Sequence, residues 1–267
     1  MRAAIFERVR LPLRSLLVLV SLLSVTAGAG RATAQPHPGA ATPDLGDVMF
    51  GRPSADDRSM GIPTVARFNA DGSSFVLDVS SHDRALMKFD DSGEVWALLP
   101  TQGPRGDVIY KNDLGEPMLR ATRLGGLTVF THDRPAGSAA ALQGAAPVLR
   151  NILLSGPAAL FQIMAQASTR ASHAAGKLIN FEALDLTPGA EPVFADAANL
   201  TAQAFVRADH NRVSHTVLSR YSKVAFINGR PPGVSVSGPE IRITVTPDLG
   251  FAGRPSSQRI SQVLFHR

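Results

Sequence analysis

The chain has 267 residues, with 27 basic and 22 acidic side chains, a formal charge of +5, 44% hydrophobic residues and no cysteine. That apolar content excludes a wholly disordered chain. The missing Cys excludes disulfides, zinc-finger and iron–sulfur sites, Cys nucleophiles and a lipid-modified N-terminal Cys. One Trp and two Tyr argue against a transmembrane β-barrel, which needs aromatic girdles at both interfaces.

The first 34 residues have the layout of a secretory signal peptide. Arg2, Arg8, Arg10 and Arg14 form a basic start, Leu16 to Val25 an apolar core, and Ala32-Thr33-Ala34 a small-residue cleavage site. The alternative is an N-terminal membrane anchor. Ten apolar residues span only about 15 Å as a helix, roughly half of a ~30 Å hydrocarbon core, which favours cleavage after Ala34. Cleavage would remove five Arg and Glu7, leaving 22 basic and 21 acidic residues and a net charge of +1. The global cationic signal of a nucleic-acid binder goes with them. We therefore expect a product free in the periplasm or medium, with no nucleic-acid partner and no stable membrane insertion.

Residues 35–62 are rich in Pro, Gly, Ala and Asp and read as a flexible leader. From 63 to 134 the apolar period is two. Phe75, Leu77 and Val79 share one face, as do Ala85, Met87 and Phe89, then Val95, Ala97 and Leu99. Turn clusters follow one another at 69–73, 90–94 and 112–116, each holding Asn or Asp with Gly. This pattern predicts an antiparallel β-meander of six or seven strands. Residues 135–147 return to small and breaker residues and read as a linker.

The stretch 148–267 reads as a mixed α+β half. A short helix is expected over 148–154 and a longer one from Pro157 to Ala175, with Ser155 as cap and Gly176 at its end. Leu160, Ile163, Met164, Ala167 and Ala171 give the longer helix one apolar stripe. A strand is expected over 177–186 and a third helix over 192–209, with Phe194, Ala198, Thr201 and Phe205 at helical spacing. Strands are expected at 213–218 and 223–227, and a hairpin from 233–237 and 240–245. The end, 256–267, suits a helix or an edge strand. The fold class is therefore α+β: an antiparallel meander, an Ala-rich helical segment, then a mixed α+β half that either stands alone or shares a domain with the meander.

No catalytic pattern identifies an activity. Asp90, Asp91, Glu94, Asp113 and Glu116 could suggest calcium, but turn formation explains them and the full calcium-loop pattern is absent. His210 and His215 are five apart without an evident third ligand, and His82, His132 and His173 are isolated. Gly233-Val234-Ser235-Val236-Ser237 misses the nucleophile-elbow pattern at its last position. Arg105-Gly106-Asp107 reads as a turn. No cofactor or metal is expected.

The most suggestive group is Trp96, Arg105, Tyr110, Lys111, Arg120 and Arg123, on adjacent strands of the meander. On a half-solvated sheet they would make an aromatic and cationic face for an anionic ligand or partner. Phe89 to Leu98, Arg105-Gly106-Asp107 and Leu119 to Gly126 also carry a resemblance. They resemble an exported alphaproteobacterial family catalogued only as a domain of unknown function, number 4908. The resemblance implies export and a shared fold, and no activity, ligand or catalytic residue.

The leading expectation is thus a non-enzymatic envelope or binding protein, with Trp96, Arg105, Tyr110, Arg120 and Arg123 facing a small ligand or an envelope protein. The alternative is a periplasmic hydrolase with its site between the two halves, using His210 or His215 with a nearby Asp and Ser. A third possibility is an assembly factor, which should show an exposed apolar patch or an unpaired sheet edge.

Overall fold

The computed structural model describes residues 63–81, 83–150, 156–208 and 216–265. The expected signal peptide and leader lie outside the described residues, as do His82, Ser155, His210 and His215.

Eight strands run in order: β1 (Val65–Ala70), β2 (Ser73–Asp78), β3 (Ala85–Phe89), β4 (Trp96–Gln102), β5 (Val108–Lys111), β6 (Pro117–Ala121), β7 (Leu127–Val129) and β8 (Ser138–Ala145). Each pairs antiparallel with the next. The chemistry of the first turn shows why. Asp71 and Gly72 both hold positive φ, 48° and 85°, between the paired residues Ala70 and Ser73. That is the geometry of a two-residue hairpin turn whose twist matches that of its strands.

The meander expectation needs one correction: the sheet closes. β8 pairs antiparallel with β1 through Ala66–Ala145, Arg67–Gly144, Phe68–Leu142 and Asn69–Ala141, with a register shift between Arg67 and Phe68. The result is an eight-stranded barrel in sequence order. The segment expected as a linker supplies the closing strand. Its sequence, Ser-Ala-Ala-Ala-Leu-Gln-Gly-Ala, offers almost no apolar alternation, and only its first residue is buried. Backbone pairing on both sides holds it as a strand where side-chain burial does not.

Barrels of eight strands are just wide enough for side chains to fill. Phe68, Phe75, Leu77, Met87, Leu98, Tyr110, Leu119 and Val129 fill this one. Phe75 stacks on Phe68 at 5.7 Å between centroids and tilts against Phe89 at 5.7 Å. The phase expected for the fourth strand is off by one residue. Trp96 and Leu98, opposite Met87 and Ala85, turn inward, while Leu99 is 47% exposed. Glu94 and Val95 are held outside the strand by the helical layer, so the alternation restarts at Trp96.

The remaining chain makes a four-stranded sheet with helices α1 (Pro157–Ala175), α2 (Glu191–Ala208) and α3 (Ser257–Phe265). Strand order is β11 (Gly233–Ser237), β12 (Glu240–Val245), β10 (Lys223–Asn228), β9 (Asn180–Leu184). β9, β10 and β12 are parallel, and β11 closes a hairpin on β12. The stripes expected on the two long helices are buried at Leu160, Met164, Ala167 and Ala171 on α1, where Ile163 is half-buried, and at Phe194, Ala198, Thr201 and Phe205 on α2. They pack with Phe226, Ile241 and Ile243 of the sheet. Gly176 ends α1 in the left-handed region, and Lys177 N donates to Ser172 O behind it. Gly156, not Ser155, is the cap residue of α1. Residues 148–150 are not helical, and Thr216–Leu218 are helical rather than extended. The barrel and the α/β layer belong to one packed unit.

A cleft at the barrel mouth

In a closed antiparallel barrel, alternate connections share an end. The β1–β2, β3–β4, β5–β6 and β7–β8 connections therefore stand together, and the three turn clusters expected at 69–73, 90–94 and 112–116 lie on one rim. Against this rim sits the N-terminus of α3.

The contact is built from acidic turn residues. Glu94, fully buried, accepts hydrogen bonds from Ser257 N at 2.9 Å and from Ser257 Oγ. Asp113 Oδ2 accepts from Ser256 N at 2.9 Å. These carboxylates satisfy amide groups at the start of α3 and oppose the positive end of its dipole. Asn112 Oδ1 closes its own turn on Leu114 N and Glu116 N, while its Nδ2 donates to Glu116 Oε2 at 3.1 Å and to Gln258 Oε1 at 3.2 Å. Gln258 Nε2 donates back to Glu116 at 2.6 Å. Arg207 of α2 donates to Ser257 Oγ at 2.7 Å and lies 3.9 Å from Glu94. Arg254, 4% exposed, donates from Nε to Asp196 at 2.7 Å and from Nη2 to Val95 O at 2.7 Å.

Gly253 makes the approach possible. A Cβ there would lie 1.9 Å from the backbone oxygen of Thr246, where Thr246 N already donates to Gly253 O. The chain thus folds back on itself immediately before Arg254 and α3. Burial pushes the Glu94 carboxyl above its ordinary value. The Ser257 bonds and the charges of Arg254 and Arg207 oppose that shift without reversing it.

Between this rim and the helices opens a cleft of about 940 Å³. Its floor is the half-buried apolar set Phe89, Trp96, Met118 and Phe130. Asp91 and Glu116 stand exposed on its barrel side. Gln203 and Arg207 line it from α2, and Gln258 and Ser261 from α3. Trp96 also borders a second, smaller pocket of about 280 Å³ that includes Arg84 and Lys111.

The structure divides the residues expected to form one aromatic and cationic face. Trp96 lines the cleft, and Tyr110 is buried inside the barrel, where burial raises its phenol pKa. Arg105 lies in the β4–β5 turn and Arg123 in the β6–β7 turn, at the other end of the barrel. Arg120, between the inward Leu119 and Ala121, points outward and pairs with Asp107. Strand alternation and opposite turns thus set these residues apart. Arg123 does reach the turn that holds Arg105: a Cβ on Gly106 would meet Arg123 Cδ at 2.9 Å.

Sequence reasoning missed Arg207, Ser257, Gln203 and Gln258. The acidic turns were visible, but their partners lie more than 100 positions away, and no local pattern signals such a pairing. Among the described residues no group of three or more His, Asp or Glu side chains could hold a metal ion. Gly233–Ser237 is strand, as its hairpin context suggests, and not a nucleophile elbow. His132 lines the cleft, whereas His210 and His215, the histidines of the hydrolase reading, lie outside the described residues. Among them, too, no helix is long and apolar enough to cross a membrane.

The fold and site thus define a closed antiparallel barrel joined to an α/β layer, with a cleft at the joint. The chain belongs to the family described as Domain of unknown function (DUF4908), whose model matches residues 44–264. No curated protein and no solved structure matches it.

Proposed function

We propose that this protein is an exported, non-enzymatic binding protein of the cell envelope that holds a small ligand in the cleft at the barrel mouth. The observation that carries the reading is the cleft itself: an apolar aromatic floor with polar groups converging from barrel, α2 and α3, which is the make-up of small-molecule sites. The signal-peptide layout of residues 1–34 and the near-neutral charge left after cleavage support export and a partner other than nucleic acid.

Two measurements test it. Mass spectrometry of the full chain expressed in a Gram-negative host should find Gln35 as the N-terminus in the periplasmic fraction; an intact Met1 terminus on cytosolic material would refute export. For the site, Trp96 is the chain's only tryptophan, so its emission reports on the cleft and on the smaller pocket beside it, and a variant that fills the cleft tells the two apart. A screen of envelope-derived small molecules should find compounds that shift this emission in the native protein and not in Gln203→Phe, which fills the cleft from α2. Hits that bind both proteins equally would place binding elsewhere.

A further inference from the structure

The charge carried by the cleft indicates what kind of ligand it takes, an inference that rests on the cleft being a binding site. Its one arginine, Arg207, already donates to Ser257 and lies beside Glu94. Among the described residues Asp91, by contrast, makes no hydrogen bond or ion pair, and the Glu116 carboxylate accepts only from the neutral side-chain amides of Asn112 and Gln258. Two carboxylates, Asp91 and Glu116, thus stand against one arginine around the aromatic floor, and the balance of charge there is negative. Aromatic faces, tryptophan above all, attract cations, and carboxylates at the rim add to that attraction.

We propose that the cleft binds a small amphipathic cation, with its apolar body against Phe89, Trp96, Met118 and Phe130 and its charged head between Asp91 and Glu116. This reverses the sign of ligand expected from the arginines of the sheet. Those arginines lie on the outer surface or at the far end of the barrel, about 20 Å away along strands of this length. An anionic head would instead meet two carboxylates.

Three probes with one tail separate the possibilities: octyltrimethylammonium, octyl sulfate and octyl glucoside, each below its micelle concentration, at pH 8. That pH lies above the ordinary titration range of histidine. Trp96 emission and titration calorimetry give the affinities. The expected order places the ammonium first, by about three- to tenfold over the sulfate. Asp91→Lys, at an exposed turn position, should abolish or invert that preference while leaving the glucoside unchanged. Equal affinity for all three, or preference for the sulfate, overturns the cation inference and leaves the cleft reading standing. Failure of all three to bind overturns both. Binding of the ammonium that Gln203→Phe and Asp91→Lys leave unaltered also overturns the inference, because the site would then lie outside the cleft.

Discussion

Glu94 and Ser257 are 163 positions apart and share two hydrogen bonds, one to the backbone N–H and one to the hydroxyl of Ser257. A turn of the barrel thereby caps a helix of the α/β layer. Neither partner is exposed, so this joint has to be satisfied from within the protein rather than by water.

The joint should be pH-sensitive in a defined sense. Burial holds the Glu94 carboxyl above its ordinary value of 4.5. The folded protein therefore keeps a proton that the unfolded chain has released, and Glu94's contribution to stability falls as pH rises from about 4.5 through the raised value. Glu94→Gln retains an acceptor for Ser257 and does not titrate. The Tm of the native protein relative to Glu94→Gln should be highest near pH 4.5 and decline toward pH 7. A difference that stays flat across that range would rule the account out.

Arg254 should matter more than its single charge suggests. Replacing it with Ala leaves the Asp196 carboxylate and the Val95 carbonyl without their donor in a largely buried place. Loss of one partner of such a pair costs on the order of 3 kcal/mol. Urea unfolding of Arg254→Ala should show that loss, and adding Asp196→Ala should recover part of it. If the double variant is no better than the single one, the carboxylate is not the source.

The closing strand makes a claim that amide exchange can check. Ser138–Ala145 is small and polar enough to pass for a linker, yet it is paired with β1 and β7. Protection of the paired amides in 138–145 should resemble that of β1 and exceed that of residues 146–150, which lie outside any strand. Exchange at the rate of an open chain across 138–145 would mean the barrel is not closed in solution.

These three cases also show what the amino-acid order reveals by itself. The helices were legible because α1 and α2 carry their burial in local periodicity: Leu160, Met164, Ala167 and Ala171 repeat at helical spacing, and Pro157 and Gly176 punctuate the ends. The hairpins were legible because Asp71-Gly72 and the later Gly turns demand a backbone few other residues adopt. β8 was not legible, since its stability lies in backbone bonds to β1 and β7 and hardly in its own side chains.

The site was the least legible part. Trp96 and Glu116 were both singled out, the first as a ligand face and the second as a turn former. Their meeting in one cleft depends on barrel closure, which places three separate turns on one rim. Arg207 and Gln203 are polar positions of α2 that no local pattern marks, because the surface they face is contributed by another part of the chain. The five residues expected to act together are spread apart, because alternate residues of a strand point to opposite sides and successive turns lie at opposite ends.

Ring closure has a consequence for how the chain is made. Ala66 reaches its partner Ala145 only after every intervening strand exists. Until then, the nascent meander carries two raw margins of unpaired amides and carbonyls, each able to recruit a strand from another molecule. A late, small-residue strand that completes the circle removes both margins at once, so synthesis interrupted before residue 138 would leave an incomplete sheet prone to sticking to its own kind.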